Sequence, residues 1–179
     1  MAKIDIENYQ IKYSDEFFFD TNIWLLLFGP IADTEKRNQR KYSKFFETLI
    51  EKEKPIYITS LVLSEFSNVL LKKDYRQWVS QMANVGKSYK EHFVGNSVYI
   101  SSVQLIKTIL EKILSLENVI KVGDSLHLID MNKLLEKFEE IDFNDCYYGE
   151  ICRVNGYKVV SNDGDFLKLI DLIDVITTR

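Results

Sequence analysis

Short apolar segments alternate along the chain with longer segments of helical periodicity. Five of them have the character of β-strands: residues 16–20 (EFFFD), 55–59 (PIYIT), 118–122 (NVIKV), 156–161 (GYKVVS) and 173–177 (IDVIT). Strands that alternate with helices imply a parallel sheet, and strands covered on both faces are nearly continuous apolar runs, as FFF and VV are. The pattern therefore predicts an α/β fold with a central, mostly parallel, five-stranded sheet and helices on both faces.

Helical patterns dominate the middle of the chain, about residues 65–117. The stretch VQLIKTILEKILSL has apolar residues at helical spacing, which is typical of core packing or of a helix pair. The one break, NVGKSYKEHFVGN, contains Gly86 and Gly95 and is predicted to be a loop between helices. No linker rich in Pro, Gly and Ser divides the sequence, so residues 1–179 are predicted to form a single domain with a helical middle segment.

Composition places the chain among ordinary soluble proteins, with 46% hydrophobic and 28% charged residues. The longest apolar run, residues 23–28, is far too short to span a bilayer, and the N-terminal sequence MAKIDIENYQ lacks a signal-peptide pattern. We therefore expect a cytoplasmic protein with no membrane partner.

The cysteines and histidines argue against a zinc-type site. Cys146 and Cys152 fall in one predicted helix on different faces, where they cannot easily form a disulfide. Neither has zinc-site spacing, and His92 and His127 lie far from both in sequence. Any metal ion would therefore be bound by oxygen ligands.

Several carboxylates follow predicted strands. Asp20 stands between FFF and IWLLL, where an unpaired charge would cost several kcal/mol, about the scale that demands a partner or a role. Glu65 begins the helix after the second strand; alone, it would be a solvent-facing helix residue. Asp163 and Asp165 follow YKVVS, and Asp145 starts the helix before it. Carboxyl ends of parallel strands share one edge, where Mg²⁺ or Mn²⁺ would compensate the crowded charges.

Other roles are open for these acids. Asp20 is also a suitable cap for a following helix. Asp142 and Asp145 fit an N-cap followed by an acidic third helical position, which favours Asp142 as the cap and Asp145 as the ligand but leaves the reverse open. The alternative for Asp163 and Asp165 is a polar turn, and it is stronger for Asp165.

Three motifs, taken in order, resemble those of the PIN-domain family, the metal-dependent ribonuclease fold that includes the VapC-like toxins of toxin–antitoxin pairs. They are FFFDTNIWL, SLVLSEFSNVL and FNDCYYGEICRVNGYKVVSNDGDF. Each is weak alone, but their order and spacing cover both ends of the chain. The region from about Leu70 to Glu117 carries no matching motif. The resemblance implies a three-layer sandwich of the PIN type.

Carried over by residue, the resemblance assigns an acidic quartet and a supporting group. The quartet, the implied metal ligands and catalytic residues, is Asp20, Glu65, Asp145 and Asp163. The supporting residues are Asn22 after the first aspartate, Ser161 at the end of the fourth strand, the additional acid Asp165, and Asp142. One departure is that Cys146, Tyr147 and Tyr148 are bulkier than the small apolar residues common after the third acid.

The implied activity is Mg²⁺- or Mn²⁺-dependent endonucleolytic hydrolysis of RNA that leaves a 5′-phosphate. Asp20, Asp145 and Asp163 would bind the metal directly or through water, and Glu65 would complete the site and orient the attacking water. RNA needs positive charge beside this acidic edge. The net charge of −4 does not exclude local basic clusters.

Two basic clusters are candidates for RNA binding, and solvated helix faces are the alternative for each residue. The first, in EKRNQRKYSK, contains Lys36, Arg37, Arg40 and Lys41; the second, in KKDYRQW, contains Lys72, Lys73 and Arg76 beside aromatic residues.

Two other functional classes compete with the nuclease. A haloacid-dehalogenase-type phosphatase needs a second acid two residues after the first, and this chain has Asn22 there. A catalytically silent PIN-fold module that binds RNA or protein is the alternative that remains. If the protein is a toxin, an antitoxin protein is its expected partner, and homodimer formation is left open.

Overall fold

Six strands form one parallel sheet in the computed structural model, which describes residues 1–30, 36–123 and 125–179. The strands are β1 (Lys3–Asp5), β2 (Phe17–Phe19), β3 (Ile56–Ile58), β4 (Val119–Lys121), β5 (Lys158–Val160) and β6 (Val175–Thr177). Their order is β1-β6-β5-β2-β3-β4, and every neighbouring pair is parallel. The predicted α/β class and all five predicted strands are confirmed. The sixth strand, β1, pairs with β6 at the sheet edge.

The helices are α1 (Thr21–Phe28), α2 (Lys36–Glu51), α3 (Ser60–Val79), α4 (Ser97–Leu114), α5 (Met131–Phe138) and α6 (Phe143–Asn155). Local sequence explains their ends. Thr59 and Asn96 cap α3 and α4 through their side chains, and Gly156 ends α6 at φ 76°, a conformation that favours glycine. The loop predicted between α3 and α4 is only partly right, because it contains a 3₁₀ turn (Met82–Asn84) and a π-helical turn (Tyr89–Phe93).

The core lies around the central strand β2, whose three phenylalanines are completely buried. Helix α6 packs on this strand, with the Tyr148 ring 5.3 Å from the Phe18 ring. The bulky residues noted after Asp145 are therefore core residues. Helices α3 and α4 pack against each other, which agrees with the helix-pair alternative for this segment. Beyond the main core, Phe93 is buried among aromatic rings at the end of this pair: Tyr75, Trp78, Tyr89 and Tyr99.

Both cysteines lie in α6 as buried free thiols, which confirms that they do not pair with each other. None of the helices in the described part of the chain combines the length and apolarity needed to cross a membrane.

Candidate active site

Asp20 lies where β2 ends and α1 begins, and only 4% of its surface is exposed. Its backbone N–H donates to Val160 in β5 (3.1 Å), which ties this turn to the neighbouring strand. Asp20 occupies the N-cap position of α1, but within the described chain its side chain makes no capping hydrogen bond to the helix. The Ser161 hydroxyl donates to Asp20 Oδ2 instead (2.7 Å). Helix capping therefore does not explain this buried acid.

Ser161 links the ends of β2 and β5 through a fully buried hydroxyl. Its Oγ donates to Asp20 and accepts from Asn22 Nδ2 (3.2 Å) and from the Asp163 backbone N–H (2.9 Å). Asn22 Oδ1 also accepts from the backbone N–H of Asn162 (3.3 Å). Because β2 and β5 are neighbours, the structure brings together four residues predicted from two distant motifs.

Glu65, half-buried in the second turn of α3, is held by two hydroxyl groups. The Thr21 Oγ1 and the Tyr148 OH each donate to Glu65 Oε2 at 2.8 Å. Thr21 directly follows Asp20, so this contact places Glu65 beside the end of β2. The anchoring residues, Thr21 and Tyr148, were not assigned a role from sequence.

The N-terminus of α6 resolves the order of its two acids. Asp142 is the N-cap, and its Oδ1 accepts from the backbone N–H groups of Asn144 (2.8 Å) and Asp145 (3.1 Å). Asp145 lies one turn into the helix and is 8% exposed. The structure thus assigns the cap to Asp142 and leaves the carboxylate of Asp145 available for another role.

The electrostatics of the buried acids record their proximity. Burial raises the pKa of Asp20 to about 7; the Ser161 hydrogen bond lowers it, while Glu65 and Asp163 raise it further. Burial likewise raises the pKa of Asp145 to about 8, with added repulsion from the acids around it: Asp20, Asp142, Asp163 and Glu65. The four acids of the predicted quartet therefore form one electrostatic cluster at the carboxyl edge of the sheet.

Two other buried acids in the described chain have a cationic partner. Glu150 forms two 2.8 Å hydrogen bonds with the Arg153 guanidinium, and Asp15 lies 3.9 Å from Lys158 Nζ. Among the described residues, no lysine or arginine pairs with Asp20 or Asp145. A buried carboxylate without a cation is costly, so these two acids are the exceptions that need an explanation.

Asp163 and Asp165 lie in the turn after β5, and Asp163 Oδ1 accepts from the Asp165 backbone N–H (3.0 Å). Asp163 is exposed, whereas the Asp165 carboxylate pairs with Lys168 Nζ at 2.9 Å. The polar-turn alternative is therefore correct for the local geometry. The salt bridge gives the Asp165 carboxylate a cationic partner.

The donor chemistry of the cluster fits a hard divalent cation, because carboxylate oxygens are the ligands that Mg²⁺ and Mn²⁺ prefer. In the described conformation, no three Asp, Glu, His or Cys side chains within residues 1–30, 36–123 and 125–179 are gathered closely enough to form a ready cation cage. Carboxylates without a cation repel one another. Hydroxyl groups orient Asp20 and Glu65.

The first basic cluster lies at the same edge as the acids. In the first half of α2, Tyr42 OH donates to the Ser161 carbonyl (2.9 Å), and Asn38 accepts from Thr178 (3.4 Å). This half of the helix carries all four basic residues of the cluster, Lys36, Arg37, Arg40 and Lys41. The second cluster, Lys72, Lys73 and Arg76, lies further along α3. At the rise of an α-helix, Lys72 is about 10 Å beyond Glu65, and Lys73 Nζ donates to the Pro30 carbonyl (2.6 Å).

Arg179 is a cation at this edge that the sequence motifs did not indicate. Its Nε donates to the Asn162 carbonyl (2.5 Å). Gly164 has an ordinary helical φ of −71°, but a Cβ there would lie 3.3 Å from Arg179 Nη1. The glycine thus leaves space for the guanidinium. Only the folded chain brings the end of β6 beside this turn, so no local sequence pattern predicts the contact.

Comparison with known proteins agrees with the fold. The model of the family described as PIN domain matches residues 17–172. A crystal structure of PAE2754 from Pyrobaculum aerophilum is 14% identical, with a TM-score of 0.49, covering 94% of this chain and 88% of that one. A crystal structure of VapBC2 from Rickettsia felis, bound to a DNA fragment from their promoter, is 18% identical, with a TM-score of 0.53, covering 90% and 97%. No curated protein matches the chain significantly.

Proposed function

The chain belongs to the PIN domain family, and we propose that it is a divalent-metal-dependent endoribonuclease. The observation that carries this proposal is the pair of buried acids, Asp20 and Asp145, which lack a cationic partner among the described residues although Asp15 and Glu150 have one. A site for Mg²⁺ or Mn²⁺ gives those two charges a role. Family membership supports the same reading, because PIN domains are generally nucleases.

In the proposed mechanism, Asp20, Asp145 and Asp163 would hold the metal ion directly or through water, and Glu65 would complete the site. When bound, the ion would supply an activated water molecule and neutralise negative charge on the phosphate. Glu65 is fixed by Thr21 and Tyr148, so its carboxylate is positioned to orient the attacking water and accept its proton. The water oxygen bonds to phosphorus, the bond to the 3′-oxygen breaks, and the leaving 3′-oxygen takes a proton from solvent. The products carry a 5′-phosphate and a 3′-hydroxyl.

The supporting residues control the orientation of these acids. Ser161 donates to Asp20 while Asn22 donates to Ser161, so the Asp20 carboxylate has one preferred position. Asp142 fixes the start of α6 and thereby the direction of Asp145. Asp165, paired with Lys168, is proposed to stabilise the turn that presents Asp163.

We propose RNA as the substrate and the basic cluster of α2 as its main contact. Lys36, Arg37, Arg40 and Lys41 lie at the edge that carries the acids, where they can contact phosphates on either side of the cleaved bond. Lys72, Lys73 and Arg76 are the secondary candidates, because their part of α3 extends away from that edge.

A toxin role is the biological context that we propose. It is supported by the similarity in fold to VapBC2 of Rickettsia felis. On this proposal the protein acts in the cytoplasm, where an antitoxin protein would bind and inhibit it, and a homodimer is a candidate active form.

Incubation of the purified chain with labelled single-stranded RNA tests the enzymatic proposal. We expect cleavage with Mg²⁺ or Mn²⁺, no cleavage with excess chelator, and loss of cleavage by orders of magnitude in Asp20→Asn. A gel-shift measurement on the same samples separates the alternative, because a catalytically silent binding module would retain RNA without cleaving it under any metal condition. Cleavage by Asp20→Asn at the wild-type rate would contradict the proposed site.

A further inference from the structure

A cation-lined cavity of about 380 Å³ lies between α2 and the segment that follows β1. Arg40, Lys41 and Lys44 line it from α2, and Tyr9 lines it from the opposite side. Lys41 pairs with Glu7, but within the described residues the side chains of Arg40 and Lys44 have no ion-pair partner and are exposed. The cavity therefore offers two available positive charges beside an aromatic ring.

One end of the cavity lies at the edge of the sheet that carries the acidic cluster, and the cavity extends from there toward Tyr9, whose OH contacts Asp15 before β2. Ile6, in its wall, directly follows β1, and its backbone N–H donates to Thr177 at the end of β6 (3.1 Å). The strand order from the acids outward is β2, β5, β6, β1, so the ends of β2 and β1 are about 14 Å apart at the usual strand spacing. Arg179, two residues after the end of β6, contacts the Asn162 carbonyl after β5 and so lies between them. One extended strand of nucleic acid can therefore cross from the acids, past Arg179, to the cavity.

The lining of the cavity matches the chemistry of a nucleotide. Two cations suit a phosphate, and the half-buried ring of Tyr9 offers a surface for a base. The Tyr9 ring is also held in place, because its OH donates to the buried carboxylate of Asp15 (2.5 Å). A ring fixed in advance loses little conformational freedom when a base stacks on it.

We propose that this cavity is a second binding site for the single-stranded RNA substrate and takes a nucleotide that flanks the cleaved bond. Arg40 and Lys44 contact its phosphate, and the Tyr9 ring stacks on its base. The inference rests on the proposed ribonuclease function and extends it, since it gives the RNA a direction across the sheet, from β2 toward β1. An acidic peptide would also suit the cations, but it would make no use of the ring or of the continuity with the acidic edge.

The test measures binding of a fluorescently labelled single-stranded RNA to the full chain by anisotropy, in an Asp20→Asn background with chelator, over a range of salt concentrations. The double variant Arg40→Ala/Lys44→Ala should bind about tenfold more weakly at physiological salt. The slope of log affinity against log salt should fall by about 0.7, the contribution of one neutralised phosphate of a single strand. The control Lys90→Ala/Lys107→Ala removes the same charge from exposed positions in the middle segment and should leave both values unchanged.

Two substitutions of Tyr9 test the stacking contact separately. Tyr9→Leu should weaken binding at least about fivefold, in line with the loss of one stacked base. Tyr9→Phe keeps the ring and should retain the affinity, although it loses the hydrogen bond to Asp15. Equal weakening by both substitutions would show that only the contact with Asp15 matters, and would overturn the stacking role.

The outcomes distinguish this inference from the proposed function. If the wild type cleaves RNA but Arg40→Ala/Lys44→Ala has unchanged RNA affinity and salt slope, the proposed RNA site in the cavity is overturned. The proposed nuclease function is then unaffected. Weakened RNA binding in that variant supports the cavity even if the wild type cleaves no RNA under any metal condition, a result that would refute the nuclease alone. Binding of poly-glutamate gives a third result. Poly-glutamate binding that is lost in Arg40→Ala/Lys44→Ala, while that variant leaves RNA affinity and salt slope unchanged, would overturn the inference in favour of an acidic protein partner.

Discussion

Replacing Asp20 with asparagine should stabilise the metal-free protein, which is the opposite of what a structural aspartate predicts. Burial raises the pKa of Asp20 from 3.8 to about 7, and this value already includes the favourable hydrogen bond from Ser161. A shift of about three units corresponds to about 4 kcal/mol, the amount by which the ionised side chain destabilises the native state. Asparagine has nearly the same shape without the charge, so it should recover most of that free energy above pH 7.

The stability difference between Asp20→Asn and the wild type should depend on pH. Between about pH 4 and pH 7 the unfolded chain has released the Asp20 proton while the native protein still holds it. The contribution of Asp20 to the free energy of unfolding therefore falls through this range by about 1.4 kcal/mol per pH unit and levels off above pH 7. Asp145 titrates in both proteins, but Asp20 contributes to its raised pKa, so the difference between them reports the Asp20 charge together with its repulsion of Asp145. The advantage of Asp20→Asn should be about 4 kcal/mol at pH 8 and less than half of that at pH 5.

Thermal melts in chelator at pH 5 and pH 8 measure this difference. For a chain of this length, 1 kcal/mol shifts the melting temperature by about 2–4 °C, so at pH 8 the variant should melt of the order of 10 °C higher. Glu150→Gln is the matched control, because it makes the same chemical change at a buried acid that is paired with Arg153. That substitution breaks a charge-assisted pair and should lower stability by about 1–3 kcal/mol.

Added Mg²⁺ completes the experiment. It should stabilise the wild type more than Asp20→Asn, because stabilisation by a ligand follows its affinity and the variant lacks one carboxylate. The reasoning would be refuted by a variant that melts lower than wild type at pH 8 by the 0.5–2 kcal/mol typical of a lost cap, responds to Mg²⁺ as wild type does, and still cleaves RNA.

Three further predictions concern the metal ion, the anchor of Glu65 and the salt dependence. Cleavage should require Mg²⁺ or Mn²⁺, and Ca²⁺ should bind but support it poorly because its coordination is looser; activity that persists in excess chelator would contradict this. Tyr148→Phe keeps the buried ring but removes the hydroxyl from Glu65, so cleavage should fall while stability changes by only about 1 kcal/mol; full activity would show that the Thr21 contact is sufficient. Lys36→Ala/Arg37→Ala should lower the salt slope of RNA binding by about 1.4, and an unchanged slope would favour the α3 cluster instead.

The strands that sequence predicted are those with strong apolar runs. FFF in β2 and VV in β5 are buried on both faces of the sheet, so their continuous apolar sequence is enough to predict a strand. Strand β1 has no such signal, because Lys3–Asp5 lies at the sheet edge with two exposed residues of three. Its pairing depends on β6, more than 160 residues away in sequence, where the register joins Lys3 to Val175.

The acids of the site were predictable for a geometric reason. Each follows a parallel strand or begins a helix beside one, and parallel strands place their carboxyl ends on one edge. The groups that orient the acids were not predictable in the same way. Tyr148 reaches Glu65 across 83 positions of sequence, and Arg179 reaches Asn162 only because β6 lies beside β5. Such contacts belong to the tertiary structure and leave no local pattern.

The way in which the fold holds Asp20 explains why a carboxylate stands between two hydrophobic segments. A lysine partner would stabilise the buried charge, but an incoming metal ion would then have to displace it. The donors to Asp20 and Glu65 are neutral groups: the hydroxyls of Ser161, Thr21 and Tyr148, and the Thr21 backbone N–H for Asp20. They fix the direction of each carboxylate without neutralising its charge. The buried charge of Asp20 destabilises the native state by about 4 kcal/mol. Burial of the adjacent β2 phenylalanines can offset this cost, since complete burial of each such side chain contributes about 1.5–3 kcal/mol. The hydrophobic segments on either side of Asp20 thus allow the protein to remain folded while it keeps a charge that only a bound cation would compensate.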